Sequence, residues 1–149
     1  MRKNDYYSIA CDDLKYLQAT LHTGLYNQIS VQAEQVVEKM LKSVAERVCV
    51  DIEGLLKTHN LRALYDRIHA EIPSFMLNRD KLSTLKDYYY DTKYPGDNFV
   101  EISYDMCLDC LRMMYSVIES VNIVRRELGL DCEEYSVKYL ADVKEIAAF

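Results

Sequence analysis

Lys93, Tyr94 and Asp97 place an ammonium, a phenol and a carboxylate on one short stretch, Lys93-Tyr94-Pro95-Gly96-Asp97. Lysine meets a phosphate as a point charge, and a tyrosine ring stacks on a base at about 1–3 kcal/mol. These three residues are therefore the first candidates for holding a planar, charged ligand. The same residues also suit a plain turn. Pro95-Gly96 reverses the chain, Tyr94 packs into the end of a helical bundle, and Asp97 or Asn98 caps the next helix.

His59-Asn60-Leu61 is the second group with chemistry in it. Polar residues at a helix start sit beside exposed N–H groups, which favour an anion such as phosphate, so His59 and Asn60 join the ligand candidates. The plainer reading is that Asn60 caps the helix while His59 hydrogen-bonds within the turn or against a neighbouring helix. Cys107-Leu108-Asp109-Cys110 has the spacing of zinc and redox sites but stands mid-helix without a second pair or a partner histidine. Structural zinc needs four ligands, so no metal site is expected and these cysteines read as buried thiols. Neither a Gly-rich phosphate loop nor a Ser-His-Asp arrangement is in view, and no cofactor is expected.

These groups must be positioned by helices. Ala10, Leu14, Leu17 and Leu21 repeat at helical spacing up to Gly24, and Ile29, Ala33, Val36, Met40 and Val44 make a second stripe beginning after Asn27 or Ser30. Asn60 opens a shorter helix that stops at Pro73, and Asn78 opens another with Leu82, Leu85 and Tyr89 inward. Beyond the tyrosine-rich Tyr88–Asp97 segment, Tyr104, Leu108, Leu111, Tyr115 and Ile118 continue towards Gly129, and Tyr135, Tyr139, Leu140 and Val143 close the chain. With no alternating strand pattern and no repeat, the fold class is all-α: a four- to five-helix up-down bundle. Residues 1–149 form one domain, with a core over about 5–127 and a C-terminal helix over about 133–147. Lys39 and Lys42 lie off the apolar stripe of the second helix. With Glu34 and Glu38 spaced for i,i+4 pairing, this reads as a solvated or dimer-facing surface.

A chain of 149 residues buries an ordinary core without metal or disulfide support. A net charge of −6 disfavours nucleic acid as a constitutive partner, since nonspecific binding depends on cations neutralising phosphates. Five cysteines inside apolar patterns suit reduced thiols, and no secretory signal or membrane-length apolar run is present, so the expected compartment is the cytoplasm.

Three segments together resemble the HEPN family of small helical, nucleotide- and RNA-associated domains. They are Gln32 through Lys42 with Glu38-Lys39 and Leu41-Lys42, His59-Asn60-Leu61 with Leu64 following, and Lys93-Tyr94-Pro95 with Asp97. The family commonly has Arg-Tyr-Pro in the third, so Lys93 replaces a bidentate phosphate fork by a point charge. The resemblance implies a HEPN-like bundle that usually dimerises and that binds a nucleotide, an RNA or a nucleotidyltransferase partner. Other family members are metal-independent ribonucleases of toxin–antitoxin-like pairs, carrying Arg, a short spacer and His. Here Arg62 and His69, with six residues between them, satisfy that spacing loosely. They lie two helical turns apart, about 10 Å, and away from the last core helix, where the family keeps the pair. The expectation is a binding module rather than an enzyme, with Arg62 and His69 as the alternative catalytic pair.

Overall fold

The computed structural model describes residues 4–135, and all its regular structure is helical. Helix α1 (Tyr6–Thr20) is capped by the Asp5 carboxylate, which accepts from the Ser8 N–H, and runs through a 3-10 turn (Leu21–Thr23) to Gly24. Gly24 takes a left-handed φ of 71°, the conformation glycine adopts without steric cost. Helix α2 is Tyr26–Val48, α3 is Glu53–Lys57, α4 is Leu61–Glu71, α5 is Arg79–Asp91 and α6 is Tyr104–Glu127. Asn60, Asn78 and Ser103 cap α4, α5 and α6 through their side chains. The bundle matches the all-α expectation and adds α3, five residues long and too short for its periodicity to be read. Of the expected helix over about 133–147, residues 133–135 are non-helical and the rest lie outside the described residues.

Helix α2 is the axis of the molecule. It packs against α1, α4, α5 and α6, so it is buried well beyond one stripe. Glu34, Glu38 and Lys42 are consequently inside the protein, and the solvated or dimer-facing surface expected for them is corrected. An amphipathic pattern assumes one buried face, but α4 and α5 cover the second. Lys39 pairs with Asp13 of α1 and is half-buried.

Tyr7 ties the far end together. Its hydroxyl donates to Asn122 Oδ1 of α6 at 2.9 Å and accepts from the Glu133 N–H at 2.9 Å, while the Arg125 guanidinium lies 3.6 Å from its ring centroid. Tyr135 stacks on Tyr115 at 5.1 Å, closing α6 over the core. No helix among the described residues is long and apolar enough to cross a membrane. Cys107 and Cys110 are buried on α6, and burial pushes their thiols up to about 11 and about 12.

Candidate functional site

The connection from α5 to α6 is held at both ends by named hydrogen bonds. Thr92 ends α5 with its hydroxyl donating to the Tyr88 carbonyl at 2.7 Å, and the Val100 N–H returns to the Asp91 carbonyl at 2.9 Å. Within this loop Gly96 has φ 141°, a region L side chains rarely adopt. Asn27, on the first turn of α2, clamps the far side. Its carboxamide donates to the Val100 carbonyl at 3.3 Å and accepts from the Ile102 N–H at 2.7 Å. Helix α2 begins at Tyr26 with Leu25 in the cap position and no side-chain cap, so neither Asn27 nor Ser30 serves as the cap expected from sequence.

This clamp sets where Lys93 and Tyr94 stand. Both are exposed, Tyr94 at 65%, so Tyr94 does not pack into the bundle end, and Ser103 rather than Asp97 or Asn98 caps α6. Lys93 Nζ donates to the Tyr89 hydroxyl at 3.0 Å, and lies 4.3 Å from the Tyr89 ring centroid and 6.0 Å from that of Tyr94. The Tyr89 hydroxyl bond holds the Lys93 ammonium above the ordinary lysine range. Lys93 sits on a cleft of about 590 Å³ running between the end of α1 and the start of α2, with Thr20, Thr23, Gln28, Gln32 and Thr92 on its walls. Leu25, 55% exposed, with Asn27 and Gln28 also lines a second cleft of about 780 Å³ that reaches Phe99.

His59 and Asn60 stand elsewhere. Asn60 Oδ1 accepts from the N–H groups of Arg62 and Ala63, and it lines a different cleft, between α4 and α5, with Arg62, Ser83 and Lys86. His59 Nδ1 lies 2.9 Å from Glu38 Oε1, and Lys42 Nζ lies 3.3 Å from Glu38 Oε2. One turn earlier on α2, Glu34 is 1% exposed, and its carboxylate accepts from Gln35 Nε2 at 2.8 Å. Burial raises the Glu34 carboxyl to about 7, against smaller lowering effects from Gln35, His59 and Lys42. Glu34 also acts electrostatically on Lys93, so it is the neighbour that Lys93 and His59 share. Asp97 is exposed on the same loop as Lys93, in the turn that the Phe99 N–H closes on the Gly96 carbonyl.

Arg62 and His69, the alternative pair, have different neighbours. His69 Nδ1 lies 2.9 Å from the Phe75 carbonyl and its ring stacks on Tyr65 at 5.5 Å, while Arg62 faces the α4–α5 cleft. Three contributors escaped the sequence: Asn27, which reads as a helix cap; Tyr89, which reads as core; and Glu34, which reads as solvated. No local signal separates these roles, because each depends on what a distant element covers.

The pattern of chain landmarks now has a frame around it: an α2 carrying Glu38-Lys39, a His59-Asn60 opening to α4, and a Lys93-Tyr94-Pro95 turn after α5. The HEPN domain family model matches residues 4–124, from the start of α1 almost to the end of α6. The chain belongs to the HEPN domain family. No curated protein and no solved structure matches it. As a HEPN domain it is a helical module of a nucleotide- and RNA-associated family, and the match takes in α2, the α4 start and the Lys93 turn.

Proposed function

We propose that this HEPN domain is a binding module that takes a nucleotide in the Lys93 cleft, works as a homodimer and serves a nucleotidyltransferase partner in a toxin–antitoxin-like pair. The observation carrying the ligand reading is the setting of Lys93. An ammonium braced by Tyr89 stands on a cleft that combines apolar walls (Tyr16, Leu25, Ile29, Val31) with neutral hydroxyls and carboxamides, beside the start of α2, which has no side-chain cap. The first N–H groups of a helix favour an anion, and Lys93 adds a full charge to them. Tyr94 offers an exposed ring for a base, and Asp97 shares its loop. In this reading His59 holds the start of α4 against Glu38 of α2, and Asn60 caps α4.

The module performs no reaction in this reading. Its expected place is the cytoplasm, which suits five cysteines that all stand as free thiols. Exposed Tyr16, Leu25 and Phe99 on the two clefts, with exposed Tyr94 next to Lys93, supply apolar surface for a second copy or for the partner.

Isothermal titration of the protein with nucleotides tests the ligand reading. Lys93→Ala and Tyr94→Ala should each weaken binding without lowering the melting temperature. Binding unchanged in both variants, or no binding by the parent, removes it. Light scattering of the parent and of Leu25→Glu tests association, which the charge should weaken.

A further inference from the structure

We propose that the Lys93 cleft takes a ligand with one phosphomonoester on a nucleoside, and does not select a nucleoside polyphosphate. The inference rests on the nucleotide reading of this cleft and adds the chemical class of the ligand. Charge inventory carries it. Among the described residues lining the cleft, Lys93 is the one cation, and no carboxylate stands with it.

The remaining polar walls are Thr20, Thr23, Asn27, Gln28, Gln32 and Thr92, all neutral. A phosphomonoester carries about −1.5 to −2 near neutrality. One ammonium, with the partial positive charge of the α2 start beside it, answers about that much and no more. A triphosphate adds further negative charge, which proteins meet with a run of backbone N–H groups, several cations or a bound metal. The Lys93 turn offers none of these: Pro95 has no N–H, and Lys93 is already spoken for in part by Tyr89. The chain's net charge of −6 also opposes added anionic charge. The neutral amides and hydroxyls suit a ribose or base edge, which bind by hydrogen bonds and not by charge.

A free mononucleotide and the phosphorylated end of an RNA chain share this chemistry. Titration calorimetry of the full chain in chelator distinguishes them, using adenosine, adenosine monophosphate, adenosine triphosphate, and a short oligoribonucleotide with and without a 5′-phosphate. The expected result is that the monophosphate binds at least tenfold more tightly than adenosine and at least as tightly as the triphosphate. Lys93→Ala should erase the difference between monophosphate and adenosine, and Lys93→Arg should restore most of it. A phosphate-dependent oligonucleotide affinity above that of the monophosphate assigns the chain end as the source; the reverse assigns the free nucleotide. Triphosphate binding tenfold tighter than monophosphate, or adenosine binding as well as monophosphate, overturns this inference while leaving a nucleotide site in place. Absence of binding by every nucleotide removes the underlying reading as well.

Discussion

His59 Nδ1 lies 2.9 Å from Glu38 Oε1, and this contact fastens the α3–α4 connection to the middle of α2. Glu38 is buried and its second oxygen faces Lys42, so one carboxylate serves a buried lysine and an exposed imidazole. Removing one member of a buried ion pair leaves an uncompensated charge, at about 3–5 kcal/mol. Glu38→Ala should therefore destabilise the domain by several kcal/mol in urea. The double change Glu38→Leu with Lys42→Met should recover most of that loss. A double variant as unstable as Glu38→Ala contradicts the assignment.

Glu34 gives a pH dependence with a definite sign. In the unfolded chain its carboxyl titrates near 4.5, and in the fold near 7, because burial disfavours the charged form. Between those values the folded state holds the extra proton, so this residue's contribution is complete below pH 4.5 and is lost as pH rises towards 7. The span corresponds to about 3 kcal/mol. Glu34→Gln should gain stability relative to the parent as pH rises from 5 to 8, measured by urea unfolding. A constant difference across that range contradicts the prediction.

Asn27 joins α2 to the loop before α6 with two hydrogen bonds to backbone. Losing them in Asn27→Ala should cost about 1–3 kcal/mol, since the Ile102 N–H and Val100 carbonyl lose partners that water must replace. Hydrogen exchange at Ile102 should rise while exchange in α4 stays near the parent's. Uniform acceleration across both regions points instead to global destabilisation.

The thiols should divide by burial. Cys11, Cys49, Cys107 and Cys110 are buried and burial raises all four thiols, Cys11 and Cys107 to about 11 and Cys110 to about 12, whereas Cys132 is partly exposed. A thiol-reactive dye at pH 8 should label Cys132 first, and the four buried positions only on unfolding. Rapid native labelling of Cys107 or Cys110 contradicts the packing of α6 described above.

Much of the frame is legible in the residues. The Asn60 and Asn78 caps and the α6 stripe from Leu108 to Ile118 are local patterns, and the structure contains each of them; of the two partners expected for His59, the turn or a neighbouring helix, the structure has the helix. Periodicity fails where burial comes from two sides, which is why Glu34, Glu38 and Lys42 read as a wet face. It fails also at α3, whose five residues show no repeat, and at Asn27, whose partners lie more than seventy residues away. The Lys93 turn announces its chemistry in sequence, but its separation from Asn60, which lines a different cleft, depends on how the helices close, which no short motif encodes.

Amide chemical-shift mapping during titration with adenosine monophosphate tests the central claim most directly. The account predicts saturable shifts at Lys93, Tyr94, Thr20, Gln28 and Gln32, with residues 59–66 little changed, and loss of those shifts in Lys93→Ala. Shifts centred on Asn60, Arg62 and Lys86, or none at the Lys93 cleft, would contradict it.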